Sequence, residues 1–324
     1  MISTEELCRR RKVLTLDLFT PMLVPSFSSK GFPKVRELWD ISKDNLIDTA
    51  LVSSYDIYYD YFEPSIDGPQ VLFVDSGGYE ATKDHDLSDI YGKEYRPKEW
   101  SSAQHRDTLQ RIETSASLVL ISLDTEENNI KLDSQVRNAE SIFSQYPDAV
   151  TNFLVKPYDS PYLDMDYLER NVEVLGEFEI IGVTEKELGR SQIERLVNTV
   201  RLRQALSQSG HDTPIHVFGC LDPISVWLFY LCGADIFDGL SWLRFAYHDF
   251  VPIYRNTWAA LEGYSQMTDA QLWGLSITHN LRVIKSQQIE MARYGDPSQT
   301  PKVTPSIELL QTILDEAGVA FEKP

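Results

Sequence analysis

Four ionisable residues stand where short apolar runs end: Asp75, Asp124, Lys156 and Asp238. A carboxylate at the end of a buried strand can serve as nucleophile, as general acid or base, or simply as the cap of the next helix. Three carboxylates that all follow apolar runs are more than capping requires. If the runs lie parallel in a barrel, their ends meet at one mouth and the acids share a cavity. The segment Asp75-Ser76-Gly77-Gly78-Tyr79 is the most specific local signal. Paired glycines permit close approach of backbone to a ligand, or a tight turn at positive φ. The segment lacks the Lys-Ser/Thr and the glycine spacing of a phosphate loop. An ordinary strand-to-helix turn is the plainer reading of the same five residues.

The elements that must position these residues recur in one rhythm. Eight runs read as strands: Pro21 to Pro25, Thr49 to Ser53, Val71 to Ser76, Leu118 to Asp124, Asn152 to Lys156, Glu179 to Thr184, Ile215 to Gly219 and Asp235 to Gly239. Short, continuously apolar runs suit a parallel sheet buried on both faces. Helices are expected between them at Ser134 to Ser144, Tyr167 to Leu175, Ser191 to Ser207 and Ile224 to Cys232, the last two stopping near Gly210 and Gly233. This alternation predicts an α/β fold, a (β/α)8 TIM barrel, with a doubly wound sheet as its rival. After the eighth run the pattern is helical, over Asn256 to Gly263, Asp269 to Tyr294 and Pro305 to Ala317. One domain over 1–324 is therefore expected, with the barrel over about 13–253 and a C-terminal helical extension over about 254–324. Polar, aromatic stretches at Tyr58 to Pro69 and Thr82 to Trp100 read as loops, where barrel enzymes place substrate contacts.

Composition narrows the function. The net charge of -19 excludes a protein that coats nucleic acid through a basic surface. A local patch is still allowed, and Arg9-Arg10-Arg11-Lys12 and the Arg201/Arg203 pair are candidates, with solvated surface charge as the alternative. Cys8, Cys220 and Cys232 are too sparse for a disulfide framework or a thiolate metal site. No leading apolar stretch reads as a signal peptide, and no run approaches the ~20 apolar residues of a membrane span. A cytoplasmic protein without membrane contact is expected.

Several motifs, taken in order, resemble one family. VDSGGYE at Val74 to Glu80 is similar to the third-strand signature of the tRNA-guanine transglycosylase superfamily, and GADIFDG at Gly233 to Gly239 to its eighth strand. Weaker matches are TPMLVPS from Thr20, LVSSYD from Leu51, LISLD from Leu120, IIGV from Ile180 and HVFG from His216 followed by Asp222-Pro223. Arg244 lies six residues after Asp238, as an arginine does in that family. The resemblance covers most of Thr20 to Arg244. It implies a pentosyltransferase in which Asp238 attacks the anomeric carbon of a guanosine and Asp75 is the acid/base. It also implies that Asp124 accepts hydrogen bonds from the purine. Ser76, Gly77, Gly78, Gly182 and Val183 would then line the base pocket, Tyr79 would stack on the base, and Arg244 would meet the nucleic-acid backbone. Two displacements by this route keep the sugar configuration, and the nucleotide must leave its stack first.

The chain also departs from that pattern. Familiar members hold zinc with three closely spaced cysteines and a histidine, whereas no cysteine follows Cys232 and the stretch from Asp238 to His279 is short. His279 in LSITHNL resembles the last ligand, but one histidine cannot build a tetrahedral site. No metal or cofactor is therefore expected, and His279 is read as structural. Lys156 stands where the family places a base-contacting glutamine and can donate to a purine oxygen or a phosphate. Glu80 replaces the usual Gln, and His248 either meets nucleic acid or is an exposed loop histidine. The expected reaction is exchange of guanine for a 7-deazaguanine of the preQ0 or preQ1 type in a nucleic acid, DNA placed ahead of tRNA. The partners would be that nucleic acid and a free 7-deazaguanine base, with a protein partner or a homodimer besides. A tRNA enzyme, a non-catalytic partner subunit and a nucleoside glycosidase are the alternatives.

Overall fold

The computed structural model describes residues 4–46, 48–82, 96–123, 130–294 and 316. Eight strands form one sheet: β1 Met22–Pro25, β2 Thr49–Ser53, β3 Val71–Asp75, β4 Ser117–Ile121, β5 Val150–Leu154, β6 Ile180–Thr184, β7 Ile215–Phe218 and β8 Ile236–Gly239. Their order is β1-β8-β7-β6-β5-β4-β3-β2. The Met22 amide donates to Asp235 O on one side of β1 (3.0 Å), and beyond its other end the Phe27 amide donates to Leu51 O (2.9 Å). The first strand thus lies beside the eighth, and the segment just after it reaches the second. This is the connectivity of a nearly closed, TIM-barrel-like α/β fold with helices after the last strand, as the sequence predicts.

Several strands stop short of the apolar runs that announce them, while β2 matches its run. β4 ends at Ile121, and Lys156 lies two residues past the end of β5. Asp124 and, apart from Glu316, the helix expected over Pro305 to Ala317 fall outside the described residues. The expected helix from Tyr167 to Leu175 is two, Met165–Arg170 and Val172–Gly176, because Asn171 leaves helical geometry at φ -115° and ψ 20°.

The chain divides into two compact units, Met1–Val24 with Val155–Pro324, and Pro25–Leu154. In the first, β7 and β8 are buried at every residue, the pattern of strands covered on both faces. The helix Pro223–Leu231 starts where Asp222 accepts from the amides of Ile224 and Ser225, with Pro223 in its first turn. The helix Asp269–Tyr294 buries Leu272, Ile277, Leu281, Ile284 and Met291 along one stripe. Arg255–Glu262 ends at Gly263, which adopts φ 78°. In the second unit, β2 to β5 pair in parallel register, with Ser53 beside Asp75 at the strand ends.

A buried ionic cluster fixes the start of β8. The Asp235 carboxylate, wholly inaccessible to solvent, receives Arg11 Nη1 at 3.0 Å, Arg203 Nη2 at 2.6 Å and the Ile215 amide at 2.8 Å. Backbone carbonyls accept from both guanidinium groups: Leu7, Arg9 and Glu6 from Arg11, and Gly233 and Thr213 from Arg203. Neither arginine belongs to a surface patch, so both basic clusters of the sequence lose one member to the interior. Arg201 is held outside by Asp166 and Glu169. Removing one partner of a buried charge cluster leaves the others uncompensated. Asp235→Ala should therefore lower unfolding stability by about 3–5 kcal/mol in urea titration. A loss below about 1 kcal/mol would contradict this role.

Candidate active site

In the larger unit the chemistry centres on Asp238, at the C-terminal end of β8. Its side chain is nearly buried. Oδ1 accepts the Gly219 amide at 3.2 Å and faces His216 Nε2 at 3.2 Å. The acceptor is a carboxylate, so in this bond Nε2 carries the hydrogen. The imidazole stacks on Phe218, with ring centroids 3.8 Å apart at 26°. Gly219 turns at φ 79°, a conformation that suits glycine, and this brings its N–H to the carboxylate. A buried carboxylate held by two donors on one oxygen can act as a nucleophile or a base of fixed orientation.

Strand register decides which neighbours share its face. His216 lies beside Gly182 on one side and Ile236 on the other, and Val217 lies beside Val183 and Phe237. With alternation along each strand, the side chains of His216, Phe218 and Asp238 project to one face, which Gly182 shares without a side chain. The Val183 side chain projects to the opposite face. Lys156, from the segment after β5, is paired with Glu187 at 2.7 Å, and both side chains are largely buried.

Arg244 ends the short helix Ser241–Arg244, half-exposed. The backbone around it is clamped from the long C-terminal helix. Asn280 Nδ2 donates to the carbonyls of Trp242 (2.7 Å) and Phe245 (2.8 Å), and its Oδ1 accepts the Tyr247 amide (2.8 Å). His279 Nε2 donates to Tyr247 O at 2.6 Å, and its ring packs on Trp258 at 5.1 Å. A carbonyl can only accept, so this nitrogen bears hydrogen and cannot ligate a metal. Cys8, Cys220 and Cys232 are all buried, and burial pushes each thiol up. The residues present do not fit the zinc site of the resembled family. His248 instead meets Glu262 at 3.1 Å.

In the smaller unit, Asp75 closes β3 and is half-exposed. Its Oδ2 accepts the Gly77 amide at 3.3 Å, and its carbonyl accepts Ser54 Oγ at 2.6 Å. Gly77 adopts φ 88°, and a Cβ there would stand 2.7 Å from Tyr55 Cβ. Turn geometry thus accounts for this glycine. Ser76, Gly77 and Gly78 are buried, and Trp100 Nε1 donates to Ser76 O at 2.9 Å. Tyr79 is half-exposed, with Lys30 Nζ 4.4 Å from its ring centre.

Beneath this turn lie two acids that sequence reasoning did not select. Glu80 is buried and accepts from Ser28 Oγ and from Ser53 Oγ (2.7 Å). Asp56 is buried and accepts the Ser29 amide (2.7 Å) and hydroxyl (2.5 Å). Burial raises the Asp56 carboxyl to about 7, with the Asp75 charge adding to the push and the Ser29 bonds opposing it. Burial, then the Asp56 charge, raises Glu80 to about 7 as well. Both lie inside the motifs LVSSYD and VDSGGYE, and Glu80 was noted there in place of the usual Gln, but neither motif marks its acid as buried. His216 was also passed over as a strand residue of HVFG.

A carboxyl whose folded pKa exceeds its unfolded value binds protons more tightly when folded. Its stability contribution is full below the unfolded pKa of 4.5 and is lost as pH rises toward about 7. Glu80→Gln should therefore flatten the pH dependence of the urea midpoint. The variant should gain up to roughly 3 kcal/mol on the wild type between pH 4.5 and pH 8. A constant difference across that range would show that Glu80 titrates normally.

Among the described residues no helix is long and apolar enough to cross a membrane. Compared with protein-family models and with curated proteins, the chain matches none.

Proposed function

We propose that the chain is a nucleobase transglycosylase that exchanges guanine for a 7-deazaguanine base within a nucleic acid. The observation that carries this reading is the orientation of Asp238, a nearly buried carboxylate at the end of β8 held through Oδ1 by His216 and Gly219. The resemblance of its segment and of the Asp75 turn to the transglycosylase signatures supplies the reaction.

In the proposed first step an Asp238 oxygen attacks C1′ of the guanosine. The C1′–N9 bond breaks as Asp75, in its acid form, protonates the departing guanine. The product is a glycosyl ester on Asp238. In the second step the Asp75 carboxylate takes the N9 proton of the incoming base, N9 attacks C1′, and Asp238 leaves as carboxylate. Each displacement inverts C1′, so the configuration is retained. Tyr79, half-exposed beside Asp75, offers a face for stacking on the extruded base. Arg244, on a backbone clamped by Asn280, offers a guanidinium to a phosphate.

DNA is placed ahead of tRNA because His279 and the cysteines do not build the zinc unit that supports tRNA engagement in the resembled family. The test is incorporation of labelled guanine into guanine-containing DNA and into tRNA. Wild type should exchange on DNA, and Asp238→Ala should lose at least about 10³-fold. Exchange on tRNA alone would move the substrate, and unimpaired exchange by Asp238→Ala would end the mechanism.

A further inference from the structure

We propose that His216 is a positioning residue for Asp238. It fixes the plane of the attacking carboxylate, and with it the direction of the attacking oxygen. The inference rests on the reading of Asp238 as the nucleophile, and it assigns a role that neither the sequence motifs nor the resemblance gives to this position.

The geometry carries the argument. His216 is wholly buried on β7, and its ring is itself immobilised by the stack on Phe218. Its Nε2 and the Gly219 amide approach the same oxygen of Asp238, each at 3.2 Å. Two donors on Oδ1 fix the torsion about Cβ–Cγ, and so fix where Oδ2 points. A displacement at carbon depends on such alignment, and a misplacement of about 1 Å can cost 10²-fold in rate.

The contrast with Asp235, three residues earlier, shows why the donor matters. Asp235 receives two guanidinium groups and is held as a structural anion. At Asp238 an imidazole N–H and a backbone amide both reach Oδ1, so the hold is directional. Gly182, beside His216 on the neighbouring strand, contributes no side chain to the same face.

Two measurements on the full chain test the proposal. The first is ¹⁵N NMR of histidine-labelled protein, which reads the ring tautomer without substrate. His216 should carry its hydrogen on Nε2, and its ring signals should shift in Asp238→Asn. An Nδ1–H tautomer, or signals indifferent to Asp238→Asn, would overturn the hydrogen bond. The second is labelled-guanine exchange by His216→Leu and His216→Gln, with urea midpoints confirming that both fold. His216→Leu should lower kcat about 10²-fold and leave KM for the nucleic acid within twofold. His216→Gln, whose amide nitrogen places a donor near the Nε2 position, should recover at least tenfold of that loss. Equal losses in the two variants, or none in His216→Leu, would overturn the role. Absence of exchange by the wild type would remove the nucleophile reading itself and this role with it, while the NMR result would still show whether His216 and Asp238 are bonded.

Discussion

The buried carboxylate of Asp235 is the constraint on which the larger unit depends. Two guanidinium groups and one amide converge on it, and its own charge offsets the burial of two cations. Through Arg11 it ties the N-terminal segment to the start of β8, and through Arg203 it ties the helix Gln192–Gln208 to the same point. Gly233 lets that helix approach, since a Cβ there would stand 2.6 Å from Arg203 Cγ. β8 is therefore pinned at its entry by charge, and Asp238 at its exit is placed by three residues of extended chain.

The two acids of this segment divide their work by environment. Asp235 is surrounded by donors of full charge and is structural. Asp238 receives an imidazole and a backbone amide on one oxygen, and these orient it. A related division appears in the smaller unit. Asp56 and Glu80 lie buried beneath the turn and are pushed toward the protonated state by burial, whereas Asp75 is half-exposed at the end of its strand. On the proposed reading, the half-exposed acid handles the proton and the buried pair supports the turn that presents it.

The strands were legible because each is a continuous apolar run, the mark of burial on both faces. Their ends were less so. An apolar run continues past the last paired residue, which is why Leu118 to Asp124 overshoots β4 and Asn152 to Lys156 overshoots β5. Long-range pairing was invisible. Asp235 finds Arg11 across 224 residues and Arg203 across 32, and His216 finds Asp238 across 22. Arg201 and Arg203 read as one basic pair, but residues two apart on a helix face different ways. One reached solvent-facing acids and the other the core. His279 was read as structural, and the structure shows that it and Asn280 clamp the backbone carrying Arg244.

The central claim is that Asp238 forms a bond to sugar. The most direct measurement is mass mapping of the protein after denaturation during turnover with a guanine-containing oligodeoxynucleotide and a competing purine base. The account predicts a glycosyl adduct carrying the oligonucleotide, in 1:1 ratio, on the peptide that contains Asp238 and on that residue within it. An adduct on Asp75 or on any other side chain would contradict it.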